Sequence, residues 1–485
     1  MNIRRREFLY GVTGFLGTNA FQLNSLANNN TYDAAILGAG LAGLNAARLL
    51  ERKGLRIVII EGNNRVGGKL LTARHLNGNQ EIGGSSIGSG YERLTKLIDE
   101  LKLIPYNPYT KPIFNNPNTA IHLNGSLIST RDEWARSNLN PFSGELKQQY
   151  PWERLRKIID EINPLSVTTD WFNKDFFKYD ISLKRALEKH GLGKEEINLI
   201  TEINPAHGDT ADSISVLQHF FSSMWVKDQR KKMTKEKPPF FQIQGGNSLI
   251  PEKMASSLKG DLRLNFMINT IESNRQGVTI HNKNGEKIHA LTAITTLPLS
   301  SLSKVKIITP FQEQQKIQAI RDIKYSRVHT ILFEILKPFW EFDNLPLTYW
   351  TDTEIGRIFT APGSDGNPAY IKTWVTGLAA RTLDNMQSKD AIKFVLSKLI
   401  AIRPSYKDAI KPSFLWSWQN TLTAGGTYVA WQPGQIKSYS NLIAKPIPPL
   451  FFAGEYTAKT DRGMEGAMES GERAAIEVLQ HLGNG

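Results

Sequence analysis

The residues best suited to chemistry are two sets of glycines, one near each end of the chain, each followed by an acid. Gly38, Gly40 and Gly43 follow the short apolar run Ala34 to Leu37, with Leu41 and Ala42 between them. Glycines at that spacing form a tight turn that lets the backbone approach a pyrophosphate, whose charge the N-terminus of the following helix stabilises. Glu61 ends a second apolar run, Arg56 to Ile60. An acid there accepts both hydroxyls of an adenosine ribose, where an NADP site would want a cation. Near the other end, Leu450 to Ala453 lead into Gly454 and Glu455, and Gly463, Met464 and Ala467 open a helical stretch. This repeats the device at residue 38: an apolar strand, a glycine break, then a helix whose free amides face an anion or a ring carbonyl. Two half-sites in one chain imply one dinucleotide clamped between them.

Other chemistries find no support. The nine histidines are scattered, with no ligand spacing and no carboxylate cluster, so no metal site is expected. Cysteine is absent, which removes disulfides, thiolate nucleophiles and cysteine-based metal centres.

The elements that must position these groups are a strand at Ala34–Leu37, a helix carrying Leu44, Ala47, Leu49 and Leu50 on one face, and a strand at Arg56–Ile60. Residues 106–240 carry helical periodicity, as in Trp152 to Ile162 and Leu183 to Leu199. Residues 326–440 alternate as strands, as in Val328 to Phe333, around a helix at 389–402.

Arg65, Val66, Gly67, Gly68 and Lys69, directly after Glu61, resemble the second signature of the FAD-dependent amine oxidases, in which paired glycines pass the FAD pyrophosphate. Lys69 stands where most members carry Arg, replacing a bidentate contact by a point charge. Glu81 to Gly88 resemble the family's acidic-x-Gly-Gly segment beside the flavin ring, which places Gly83, Gly84, Ser85 and Ser86 there. Gln244 to Asn247 resemble the Gly-Gly segment before the strand that touches adenine, here around Met267 and Ile268, and Thr295 to Pro298 the Thr-x-Pro turn that brings Thr296 and Pro298 to the cofactor. Residues 450–471 resemble the closing motif, in which the Gly454–Glu455 pair meets the ribityl-phosphate chain. The resemblance spans about residues 32–482. It implies an α/β fold with a discontinuous, Rossmann-like FAD-binding domain (32–105, 240–325 and 445–482) and a mixed sheet-and-helix substrate domain (106–239 and 326–444).

The same resemblance places Thr423 to Tyr428 beside the flavin ring. Thr427 occupies the position of the cysteine that monoamine oxidases bond to FAD, so non-covalent FAD is expected. Tyr428 then forms one wall of the aromatic cage that orients an amine by packing and cation–π attraction. Three departures shape the expected activity. The second cage wall is Gly463, which leaves the cage half open. Ser86 stands where amino-acid oxidases carry an Arg for the substrate carboxylate; a stranded carboxylate costs about 2–5 kcal/mol, which argues against free amino acids. The lysine that faces flavin N5 in most relatives is Thr330, counted back from Phe339 and Trp340, with His329 on the opposite face of the strand.

These readings imply hydride transfer from the α-carbon of an amine to flavin N5, giving an imine, with Tyr428 and Thr330 as the residues nearest the reaction. Reoxidation is by O2 or a redox acceptor protein, the loss of the lysine favouring the second. Two alternatives share the FAD motifs: dehydrogenation of a large apolar substrate, as in carotenoid desaturases and protoporphyrinogen oxidases, and a non-catalytic flavoprotein acting as a binding partner.

The 485 residues carry a formal charge of +13, with 40% hydrophobic and 22% charged residues. Arg4, Arg5, Arg6, Glu7, Phe8 and Leu9, a weakly apolar stretch and Ser25, Leu26 and Ala27 resemble a twin-arginine signal (residues 1–27), so a periplasmic or otherwise exported enzyme is expected. Much of the basic excess lies in Lys227 to Lys237, expected as a surface loop. A cationic exterior suits weak association with anionic membrane surfaces and disfavours polyamines. No nucleic-acid motif accompanies it.

Overall fold

Ala34, Ala35, Ile36 and Leu37 are fully buried, as are Val58 and Ile60. Strands this apolar on both faces belong inside a parallel sheet covered by helices. In the computed structural model, which describes residues 31–483 except 117, 204–207, 234–235 and 311–312, they lie at the heart of an eight-stranded sheet. Its order is Asp261–Arg263, Ile57–Ile60, Tyr32–Leu37, Lys287–Thr295, Gly277–Asn282, Ile268–Asn274 and Lys306–Ile308, with Leu450–Phe452 also paired to Lys287–Thr295. The sheet, its covering helices and a second, mixed sheet make the fold α/β.

Register explains how distant motifs meet. Leu37 pairs in parallel with Ile60 and with Thr295, and Thr295 with Phe452. The residues that follow these strand ends are Gly38, Glu61, Thr296 and Ala453, so all four emerge at one edge of the sheet. The carboxyl edge of a parallel sheet is where such folds bind ligands.

A seven-stranded sheet runs Ile410–Ser417, Val328–Ile335, Pro368–Thr376, Arg357–Pro362, Tyr349–Thr351, Ala120–Leu123 and Ser126–Ile128. Val328 and Leu332 on one face pack with Trp418 and Ala424. Ile331 and Phe333 on the other pack against the helices Gly377–Asp384 and Ser388–Ile402.

Two local expectations are corrected. Residues 183–199 form two helices, Leu183–Lys189 and Lys194–Glu202. The chain turns between them at Gly191, whose φ of +93° few other residues adopt. Lys227 to Lys232 are not a loop but the last turns of the helix Val216–Lys232. Arg230, Lys231 and Lys232 complement the negative end of its dipole there. The signal-like segment 1–27 lies outside the described residues. Among the described residues no helix is long and apolar enough to cross a membrane.

Candidate functional site

The glycine turns interlock. A side chain on Gly38 would meet Thr296 Oγ1 at 2.5 Å, and one on Gly43 the carbonyl of Gly38 at 2.0 Å. The Thr296 hydroxyl donates to the Leu37 carbonyl at 2.9 Å, tying the turn to the next strand end. Pro298 caps the short helix Leu299–Leu302 beside it. The Glu61 carboxylate accepts from the amides of Ala39 and Asn63, each at 2.9 Å, and is buried. Leu41 and Ala42 begin the helix behind the turn, and Gly40 faces Gly68, whose Cα would lie 4.0 Å from a Cβ on Gly40. A Cβ on Gly68 would stand 3.3 Å from the Gly40 Cα, and the Gly67 amide donates to the Ala39 carbonyl at 2.8 Å to hold the loops together. This cradle, which a Cβ would narrow, fits a pyrophosphate.

Arg65 turns inward and donates to the carbonyls of Val66, Gly68 and Leu70, so it shapes the loop. Lys69 donates to the Thr427 carbonyl, and its Nζ lies 4.1 Å from the Tyr325 ring. Burial pushes Lys69 down to about 8 against the pull of Glu455, and pushes the Glu455 carboxyl up. Ile268 opens the strand Ile268–Asn274, and Met267 lies beside Gly62, at the ribose end of the cradle.

Gly83 lies against Trp418, whose indole N–H donates to the Ile82 carbonyl, and Gly84 against Met464. This joins the segment 81–86 to the first turn of the helix Gly463–Gly483. Ser85 accepts from Gln242 through its carbonyl, and Ser86 is exposed. Ala467 lies one turn further along that helix, and the Gly454 amide donates to Ser470 at 2.9 Å. A Cβ on Gly463 would find nothing within 4 Å. The space in front of this helix end is open.

Tyr428 is held by its backbone, its carbonyl accepting from Ser326 at 2.8 Å. Burial pushes its phenol up to about 12. The Thr427 hydroxyl donates to the Ser326 carbonyl. Thr330 is buried opposite Trp374 and Trp416. His329 instead lines a cavity of about 330 Å³ with Leu383 and Met386. Lys324 sits in the short strand Lys324–Tyr325 and is exposed. Two charged groups at the site were missed by sequence reasoning. Lys372, paired with Leu332 and hence diagonal to Thr330, donates to the Glu81 carbonyl at 2.6 Å. Arg462, directly before Gly463, donates to Ser222 at 2.6 Å. Among the described residues no His, Asp or Glu cluster suits a metal ion.

Residues 41–479 match the family of flavin containing amine oxidoreductases. Amine oxidase B of Cavia porcellus is 27% identical over 94% of this chain and 87% of its own length; that of Homo sapiens is 25% identical over the same shares. Among solved structures, putrescine oxidase bound to putrescine shares the fold with a TM-score of 0.75 at 20% identity, over 93% of this chain and 99% of that one. Cyclohexylamine oxidase from Brevibacterium oxydans does so with 0.75 at 18%, over 93% and 100%. The chain therefore belongs to the flavin-containing amine oxidoreductases, and it is an FAD-dependent enzyme that oxidises amines.

Proposed function

We propose that the substrate is an amine other than a free α-amino acid, oriented between Tyr428 and the flavin. The chemistry FAD supplies when bound is acceptance, at N5, of hydride from the amine α-carbon, leaving an imine. The observation that carries this reading is the open face at Gly463, whose neighbour Met464 packs on Gly84. Tyr428 orients the amine by packing and stays a neutral phenol. Gly38, Gly40, Gly67, Gly68 and Glu61 hold the adenosine diphosphate half of the cofactor, and Gly454, Glu455, Met464 and Ala467 the ribityl and ring half. Thr427 and the absence of cysteine support a dissociable flavin.

Thr330 supports a further part of this reading. It leaves the N5 side without its usual lysine, so reoxidation by O2 is slow and another acceptor serves. The twin-arginine-like residues 4–9 support export, with FAD acquired before translocation. Anaerobic mixing with a panel of primary, secondary and cyclic amines tests the class: flavin bleaching by one of them is expected, and bleaching by none contradicts it.

A further inference from the structure

The wall at Gly463 has lost an aromatic ring, and the residue before it brings a cation. Arg462 reaches back to the helix Val216–Lys232, where its Nη1 donates to Ser222 and its guanidinium carbon lies 5.7 Å from the centre of the Trp225 ring. The acids adjacent in sequence are engaged elsewhere: Asp461 and Glu465 both pair with Arg93. Among the described residues, no carboxylate oxygen lies within 4.0 Å of Arg462. Its charge is nevertheless felt across the site. It opposes the upward push of burial on Tyr428 and adds to the downward push on His219, which burial takes to about 4. Arg462 also lines a small cavity with Ser222, Val429, Trp431, Glu455 and Asp461.

A half-buried guanidinium without a carboxylate partner repels a protonated amine and attracts an anion. Its planar fork matches a carboxylate.

We propose that Arg462 is a specificity-determining residue that binds a carboxylate of the amine substrate, at a position remote from the carbon that is oxidised. The remote placement follows from Ser86, which offers the α-position no cation, and the inference rests on the amine reading above. The substrate class is thereby an ω-amino acid or another amine with a distal carboxylate.

The test is a matched series on the FAD-loaded enzyme: hexylamine, ω-aminohexanoate and norleucine as reductants under anaerobic conditions, and hexanoate as a carboxylate without an amine. Hexanoate binding is read from the perturbation of oxidised flavin absorbance, independently of turnover. The expected result is that ω-aminohexanoate bleaches the flavin at concentrations about 30-fold below those hexylamine needs or lower. Arg462→Met should erase that preference and abolish hexanoate binding while retaining FAD and Tm, and Arg462→Lys should restore part of both. Hexylamine and ω-aminohexanoate performing alike, hexanoate binding unchanged in Arg462→Met, or norleucine being preferred would each overturn the inference. Should none of the three amines bleach the flavin, the hexanoate titration decides the role of Arg462, and the amine reading fails only if no member of the wider amine panel bleaches it.

Discussion

A Cβ on Gly471 would stand 2.2 Å from the carbonyl oxygen of Ala42. The helix Gly463–Gly483 thus lies directly on the first turn of Leu41–Arg52, and Asn45 fastens the crossing by donating to the Met468 carbonyl at 2.8 Å. The two glycine half-sites at opposite ends of the chain are held at a fixed distance by this contact. Gly471→Ala forces the helices apart, at a cost of about 1–3 kcal/mol. The expected outcome is a lower Tm and weaker FAD retention; an unchanged Tm contradicts the close approach.

Glu61 already accepts two backbone amides, which fixes its carboxylate at the end of its strand. Glu61→Gln removes the charge that strengthens hydrogen bonds from a ribose, each worth about 1.5–3 kcal/mol. Titration of deflavinated protein with FAD should show affinity lowered by about tenfold or more. Equal affinity contradicts the ribose role.

In the proposed role Tyr428 orients the amine without titrating. With its phenol pushed up to about 12, it contributes no ionisation to the pH profile of kcat/KM below about pH 11. Tyr428→Phe should leave the profile in place, and Tyr428→Ala should raise the amine concentration needed for flavin reduction. A shifted alkaline limb in Tyr428→Phe contradicts this.

Glu81 gives the fold a pH dependence. Burial pushes its carboxyl from 4.5 up to about 7, against hydrogen bonds from the Asn247 amide and the Thr72 hydroxyl. The folded state therefore holds this proton to higher pH than the unfolded chain does. Its stabilising contribution is complete below about pH 4.5 and is lost as pH rises through 7. Lys372, which burial takes down to about 8, titrates above this window. Tm measured between pH 5 and 7 should fall more steeply with pH in the wild type than in Glu81→Gln; equal slopes contradict the assignment.

Much of the fold was legible in the sequence because the glycine turns and the strands and helices beside them are local features. A strand, a glycine turn and a helix are adjacent in the chain, and Gly38, Glu61 and Gly454 can be read without knowing how strands pair. What escaped depends on tertiary placement. Lys372 reaches the face of Thr330 only through the register of Val328–Ile335 against Pro368–Thr376, which periodicity does not specify. Arg462 lies one residue from a position followed as an aromatic wall, so its charge went unweighed. The basic run at 227–232 looks like a loop by composition, yet its charges belong at a helix C-terminus, where the backbone dipole favours them.

Thr330→Lys restores a cation on the face of the strand shared with Lys372. A positive charge placed where negative charge develops accelerates a reaction by roughly a hundredfold. The reduced flavin of this variant should therefore react faster with air-saturated buffer than that of the wild type, while anaerobic reduction by amine is little changed. Comparable oxygen reactivity in the two contradicts the proposal that the enzyme prefers another acceptor.

The most direct test of the account is anaerobic stopped-flow absorbance of the purified FAD-bound protein against amines with and without a distal carboxylate. The account predicts loss of the oxidised flavin band with at least one amine, saturating with concentration and weakened in Tyr428→Ala. A flavin that no amine reduces, in protein that retains FAD and is readily bleached by dithionite, contradicts it.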